Sequence, residues 1–267
     1  MAAIDRRAPQ RADRPTNPFS QPTAPSPASV WLCAPDPTQE DPLWPVWATR
    51  TVEAFSAPGE RVVIRSLGGY PALPGEMAAL IGAAARTGRR PVGLLPTPAG
   101  AARTRAHLPA TTPAASADTV PLRVAPAAAT VSVGVGRRRP ARETGPAALV
   151  VVLAGPVQPG ARAPRRSPIP ARVLASWAVP LRPGGVMALL SPPALGRRDR
   201  GGASGLVQAA QDAGLTYTQH IVLVHTPVVG DQLLPPASTR RPHAPFWPVH
   251  TDLHLFSAPA DPLQEQL

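Results

Sequence analysis

The strongest structural signal in this chain is an unbroken apolar run, LVVVL, at residues 149–153. β-branched residues favour extended backbone, and an uninterrupted run of them is typical of a parallel strand that is covered on both faces. A parallel strand needs a crossover connection, usually a helix, to reach its neighbour. This segment therefore predicts an α/β domain built on a central parallel sheet.

Shorter apolar segments, some with the period of a helix and some with that of a strand, alternate on either side of this run. They predict helices over residues 43–57, 73–87, 169–179 and 205–213, and strands over residues 61–64, 91–95, 148–154, 186–190, 216–225 and 249–256. Pro58 and Gly59 stop the first helix, and Gly88 stops the second. We expect one open, doubly wound, mainly parallel sheet, in which the last two strands form an antiparallel C-terminal edge hairpin.

Changes in amino-acid composition along the chain indicate where this domain begins and ends. The chain has 39 prolines and 21 glycines in 267 residues, close to the composition of disordered chains. We expect residues 1–28 to be disordered, residues 29–258 to form the domain, and residues 259–267 to form a tail. Residues 97–146 are Ala/Pro/Arg-rich and predict a partly flexible insertion, with weak strand signals at residues 120–124 and 130–135.

The basic charge comes entirely from arginine. The chain has 27 basic and 16 acidic residues, a formal net charge of +11, and no lysine. Arginine pairs with phosphate in a bidentate way, so this surplus favours DNA or RNA as a partner. Solvated loop charge, for example at residues 137–139, is the competing interpretation.

Cysteine and histidine usage bears on compartment and on metals. The single cysteine, Cys33, excludes an internal disulfide and a cysteine-based zinc cluster, and it predicts a cytoplasmic protein. No apolar run reaches the ~18 residues of a membrane-spanning helix. His250 and His254 would stand ~13 Å apart on one strand, and we expect Asp252 on the opposite face. We therefore expect no metal site.

Several segments occur in an order that resembles a known family. They are residues 29–31, 41–63, 87–93, 147–152, 181–186 with the sequence LRPGGV, 213–222 and 250–256. Together they resemble the class I S-adenosylmethionine-dependent methyltransferases, and among these the amino-directed (N4-cytosine or N6-adenine) DNA methylases. The resemblance covers about residues 29–257. It implies a class I methyltransferase-like fold, S-adenosylmethionine as cofactor and DNA as substrate.

The resemblance implies a cofactor site after the strand at residues 61–64. The cofactor loop would consist of Leu67, Gly68, Gly69 and Tyr70. In the family a carboxylate before this loop holds the methionine part of the cofactor, whereas this chain has Arg65. The family's second strand ends in an acidic residue that holds the ribose, whereas residues 94–96 are Leu-Leu-Pro. Neither segment supplies a carboxylate acceptor.

The resemblance also implies a catalytic tetrapeptide, Asp/Asn/Ser-Pro-Pro-Tyr/Phe, after the central strand. Its first residue accepts a hydrogen bond from the exocyclic amine, and its aromatic ring stacks on the flipped base. The corresponding residues here are Ala154, Gly155, Pro156 and Val157. Only Pro156 matches. A Ser-Pro-Pro sequence at residues 191–193 lies beyond the LRPGG segment and lacks the aromatic residue, so we interpret it as the start of a loop.

Three functions remain open from the sequence. The favoured one is a divergent methyltransferase-fold protein, related to DNA methylases, whose catalysis is weak or absent. The second is an active methyltransferase with a rebuilt site, in which Glu76 or Asp118 replaces the missing acceptors. The third is a non-catalytic nucleic-acid-binding or scaffold protein. If the chain is an enzyme, the resemblance implies methyl transfer to DNA amino groups.

Overall fold

The computed structural model describes residues 28–33, 43–66, 74–111, 120–124, 146–153, 169–191, 202–224, 228–229, 232–233 and 250–260. The strands are β1 (Ala28–Leu32), β2 (Arg61–Ser66), β3 (Arg90–Leu95), β4 (Leu122–Val124), β5 (Ala147–Leu153), β6 (Leu181–Ser191), β7 (Thr216–Val224), β8 (Val228–Val229), β9 (Gln232–Leu233) and β10 (His250–Ser257). The helices are α1 (Leu43–Phe55), α2 (Pro74–Arg86), α3 (Pro98–Thr111), α4 (Ala171–Ala178) and α5 (Gly202–Asp212). Within these ranges no helix is long and apolar enough to cross a membrane.

Eight strands form one open sheet in the order β1-β7-β10-β6-β5-β2-β3-β4, and β8 pairs with β9 separately. The pairs of β2 with β3 and β5, of β5 with β6, of β3 with β4, and of β1 with β7 are parallel. β10 runs antiparallel to both β6 and β7. The mainly parallel sheet and the antiparallel pairing of the C-terminal strands are confirmed. β1, which the pattern did not predict, adds outside β7.

β5 lies in the middle of the sheet, between β2 and β6, and every one of its residues is buried. One face of the sheet packs against α1, α2 and α3, where Val151 joins Trp47 and Leu80. The other face packs against α4 and α5, where Val152 joins Trp177. Burial of each large apolar side chain contributes about 1.5–3 kcal/mol. The two-sided cover explains why the sequence of β5 does not alternate.

The stretch from residue 97 to residue 146 contains a helix that the pattern did not predict. α3 occupies its first part, and β4 confirms a strand inside the predicted segment at residues 120–124. Alanine favours helix, and Pro98 suits a first turn. The helix was missed because few large apolar residues mark it; Leu108 is its fully buried anchor. The remaining residues of the stretch, 112–119 and 125–145, lie outside the described part, and the second strand signal, at residues 130–135, lies there too.

The LRPGG segment belongs to β6, so this strand begins five residues before the start predicted at residue 186. β6 begins at Leu181, and its register against β5 shifts between Ala147 and Leu149. Gly184 within it has a φ of +67°, a conformation that favours glycine. The strand therefore starts early and accommodates the glycines through an irregularity in the ladder.

Candidate functional site

The strand order reverses between β2 and β5. From β2 the sheet continues outward to β3 and β4, whereas from β5 it continues outward to β6. Open α/β sheets bind ligands at the carboxyl ends of their strands at such a switch point. Ser66 and Leu153 are register partners and end the two strands. The fold therefore places its candidate ligand site beyond this pair.

Both predicted site segments follow directly from these two strand ends. The segments comprise Leu67, Gly68, Gly69 and Tyr70 after β2, and Ala154, Gly155, Pro156 and Val157 after β5. All eight residues lie outside the described part of the chain. Their roles in cofactor binding and catalysis stay predictions, while the strands that lead into them stand at the switch point.

Arg65 is the charged residue on the described rim of this site. Its guanidinium carbon lies 5.2 Å from the centroid of the Trp177 ring, which belongs to α4. Its Nε atom is buried and has no hydrogen-bond partner among the described residues. Burial lowers the pKa of Arg65 to about 10. The side chain therefore stays protonated at neutral pH, and it places a positive charge near the end of β2.

The end of β3 carries apolar side chains that pack into the hydrophobic cores on the two faces of the sheet. Leu95 packs into the core under α2 and α3, and Leu94 packs against the core under α4 and α5. The hydroxyl of Thr97 accepts a hydrogen bond from the backbone N–H of Gly100 at 3.0 Å, and it thereby caps α3. No carboxylate stands in the described segment from Arg90 to Thr97.

The other predicted alternatives are placed as follows. Glu76 lies in the first turn of α2, is only 4% exposed and interacts with other groups of the protein. Asp118 lies outside the described residues. Ser191 is the last residue of β6, and residues 192–194 are outside the described part. Glu76 is thus the described carboxylate that comes nearest in sequence to the predicted cofactor loop.

A polar cluster that the sequence did not predict lies on β7 and β10. One ligand atom from each of His220, Asp252 and His254 lies within 4.8 Å of the others. Nε2 of His220 is 3.0 Å from Oδ1 of Asp252, and the His220 and His254 rings stack with centroids 4.9 Å apart. His250 is more distant, with Nε2 3.9 Å from the same carboxylate oxygen.

The expectation that Asp252 faces away from the histidines of its strand was wrong. Alternate residues of a strand share a face, so Asp252 and His254 point to the same side of the sheet. His254 and His220 are register partners across the antiparallel pair of β10 and β7. Sequence reasoning considered one strand at a time and therefore missed a contact between two strands.

Register links this cluster to the switch point. One row of cross-strand partners runs over the face that α4 and α5 cover, through Arg65, Val152, Leu189, His254 and His220. Asp252 stands two positions along β10 and pairs with Ser191, the last residue of β6. The cluster therefore lies at the carboxyl edge of the parallel strands, on the same face as Arg65.

Burial sets the protonation of the cluster. His254 is 4% exposed, and its pKa is lowered to about 4 by burial first and by His220 second, against an opposing effect of Asp252. Burial, and then Asp252, raise the pKa of the neighbouring Tyr217. At neutral pH the cluster therefore presents a neutral imidazole at His254.

Cys33 does not offer a reactive thiolate. The residue is fully buried, and burial raises its pKa against a smaller opposing effect of Arg50. A thiol in this state is a weak nucleophile at neutral pH. The chemistry of the described residues therefore centres on the imidazoles and carboxylates.

Comparison with known proteins gives fold-level likeness only. No family model and no curated protein matches the chain. A TehB-like S-adenosylmethionine-dependent methyltransferase from Corynebacterium glutamicum is 12% identical, with 79% of this chain and 86% of that chain covered and a TM-score of 0.43. A methyltransferase from Thiobacillus denitrificans bound to S-adenosylhomocysteine is also 12% identical, with 80% and 91% covered and a TM-score of 0.44. The fold assignment rests on the strand order and directions given above.

Proposed function

We propose that this chain is a divergent S-adenosylmethionine-dependent methyltransferase-fold protein, related to amino-directed DNA methylases, in which catalysis is weak or absent. The observation that carries the proposal is the position of Arg65. A protonated guanidinium stands on the strand end where the resemblance implies a carboxylate. The cofactor's methionine part carries an ammonium group, which a carboxylate attracts and a guanidinium repels.

The surroundings of Arg65 oppose its withdrawal from this position. The Trp177 ring attracts the guanidinium through its π face, and Trp177 itself is 2% exposed. Leu95, at the end of β3, is packed in a core and supplies no acceptor for ribose hydroxyls. Two of the three positions that would hold the cofactor are therefore occupied by groups that cannot do so. The third, the loop after β2, would contribute backbone contacts alone.

The alternative is an active methyltransferase with a rebuilt site, and Glu76 is the observation that favours it. Glu76 begins the helix that follows the predicted cofactor loop, and it is a buried carboxylate. A carboxylate at the N-terminal turn of this helix stands on the same edge of the sheet as the switch point. In the rebuilt site it would receive the cofactor's ammonium group.

Calorimetric titration with S-adenosylmethionine separates these two functions. The proposal expects no saturable heat at millimolar cofactor, for the native chain and for Glu76→Gln alike. An active enzyme with a rebuilt site should bind the cofactor saturably, and Glu76→Gln should weaken that binding at least tenfold. Circular dichroism checks that the variant is folded. Saturable binding of the native chain in the micromolar range would overturn the proposal.

Nucleic acid is the partner that we propose for this protein, and the cytoplasm is its proposed location. Arg90 and Arg123 are exposed on neighbouring strands, and their charges, after burial itself, lower the pKa of Arg61. Arginines that lie this close together attract a polyanion such as nucleic acid. We expect binding to duplex DNA to weaken steeply with salt, with a slope of about −0.9 per neutralised phosphate. Binding that is independent of salt would contradict this partner.

A further inference from the structure

We propose that His220, Asp252 and His254 form a binding site for a divalent transition-metal ion of the zinc type. Two imidazoles and one carboxylate converge from adjacent antiparallel strands, with one ligand atom of each within 4.8 Å of the others. Imidazole nitrogen and carboxylate oxygen are the donor types that zinc takes from proteins when thiolates are absent. Nothing in this site depends on S-adenosylmethionine, so it goes beyond the proposed function.

The cluster needs a small adjustment to reach coordination distances. Zinc holds nitrogen at about 2.0–2.1 Å and carboxylate oxygen at about 2.0–2.2 Å, which places tetrahedral ligands roughly 3.4 Å apart. Nε2 of His220 and Oδ1 of Asp252 already lie 3.0 Å apart. The contraction therefore concerns the distance to His254. His220 has a side chain that is 30% exposed, so its ring is the one with room to turn out of the stack.

His254 supplies an independent sign of a missing ligand. This side chain is 4% exposed, and its Nδ1 atom is buried without a hydrogen-bond partner in the part of the chain that the structure describes. A buried polar atom that is left without a partner is unfavourable, and native structures usually satisfy it. The Tyr217 ring lies 6.3 Å from the imidazole, and the His220 ring stacks on it while no ion is bound. Coordination of an ion by this imidazole satisfies a ring that is fixed and buried.

The contact between His220 and Asp252 shows what the ion would replace. A carboxylate only accepts hydrogen bonds, so Nε2–H of His220 donates to Oδ1 of Asp252 in the described state. An ion between these two atoms takes the place of that proton, and a neutral His220 then carries its proton on Nδ1, because an imidazole that binds a metal through one nitrogen keeps its proton on the other. Three protein ligands leave a fourth position free for water. Water can reach the site because the Asp252 and His220 side chains are 22% and 30% exposed.

Titration of the untagged full chain with Zn²⁺ after treatment with a chelator tests this site. We expect one Zn²⁺ per chain by calorimetry. Asp252→Asn and His254→Gln should each weaken binding at least tenfold. His107→Ala is the matched control, because His107 is an exposed histidine on α3, across the sheet from the cluster. It should bind Zn²⁺ like the native chain.

Substitution with Co²⁺ provides a measurement on the native chain that does not depend on the variants' folding. A tetrahedral nitrogen and oxygen environment gives Co²⁺ intense visible absorption, and Zn²⁺ should abolish that absorption by competition. Absence of Zn²⁺ uptake by the native chain would overturn the proposal. Undiminished uptake by folded Asp252→Asn and His254→Gln would also overturn it, because the ion would then be held elsewhere. Failure of S-adenosylmethionine to bind has no bearing on these outcomes.

Discussion

The switch point between β2 and β5 and the strand pair of β7 and β10 lie on one edge of the same sheet, yet they differ in chemistry. The first is where strand order predicts a ligand, and its described rim holds a cation, Arg65, and a buried leucine, Leu95. The second contains no residue to which the resemblance assigns a role, and it brings together two imidazoles and a carboxylate. The contrast teaches that a fold fixes where a ligand edge lies, while the side chains decide which part of that edge is equipped for chemistry.

The substitution with the largest expected effect removes the aromatic support of the switch-point rim. Trp177→Ala deletes a side chain that is 2% exposed and packs against β5 and β6. We expect the free energy of unfolding to fall by about 3–5 kcal/mol, as measured in urea. Trp177→Phe keeps an aromatic ring under Arg65 and should cost less than half as much. Equal losses for both variants would mean that the ring does not support this rim.

Acid should destabilise the strand pair through His254. Its pKa is about 4 in the folded chain and about 6.5 in the unfolded chain, so the unfolded state binds the extra proton first. The contribution of His254 to stability is therefore complete above pH 6.5 and is lost as the pH falls toward 4. The full difference amounts to about 3 kcal/mol.

Chelator-treated protein is the proper sample for this pH experiment, since an ion would compete with the proton. Unfolding free energies of the native chain and of His254→Gln should converge or cross as the pH falls from 7 to 4.5. Asp252 and His220 face the ring and remain in both proteins, so the difference between the two isolates His254. A difference that stays constant over this pH range would show that His254 is solvated.

The smallest effect is expected from Arg65→Met. Methionine keeps contact with Trp177 and removes a charge whose pKa burial has lowered to about 10. Because Nε has no hydrogen-bond partner among the described residues, we expect the free energy of unfolding to change by less than about 1 kcal/mol. Urea unfolding checks this. A loss above about 2 kcal/mol would contradict this expectation, because it would mean that strong hydrogen bonds hold the guanidinium.

The architecture was largely predictable because it rests on local patterns. The run in β5 predicted a central covered strand, and β2, β3, α1 and α2 followed with boundaries within a few residues. α3 was missed because an alanine-rich helix with one large anchor, Leu108, has weak periodicity. The early start of β6 was missed because Pro183 and Gly184 favour turns unless a neighbouring strand imposes its register.

The site was less predictable, for a different reason. The resemblance implied sites after β2 and β5, the two strands that end at the switch point, because such an assignment depends only on order along the chain. The roles of the residues there stay predictions. The cluster on β7 and β10 depends on pairing between residues more than thirty positions apart, such as His220 and His254. Period-two counting along β10 would have placed Asp252 beside His254, but only the register of the sheet adds His220.

Transfer of a tritiated methyl group from S-adenosylmethionine tests the central claim most directly. The labelled donor is incubated with the native chain and one acceptor at a time: duplex DNA, single-stranded RNA or a protein extract. The account predicts incorporation no higher than without the protein, at any donor concentration up to millimolar. Incorporation that requires the protein and saturates with donor would contradict it, because the chain would then contain a working methyl-transfer site.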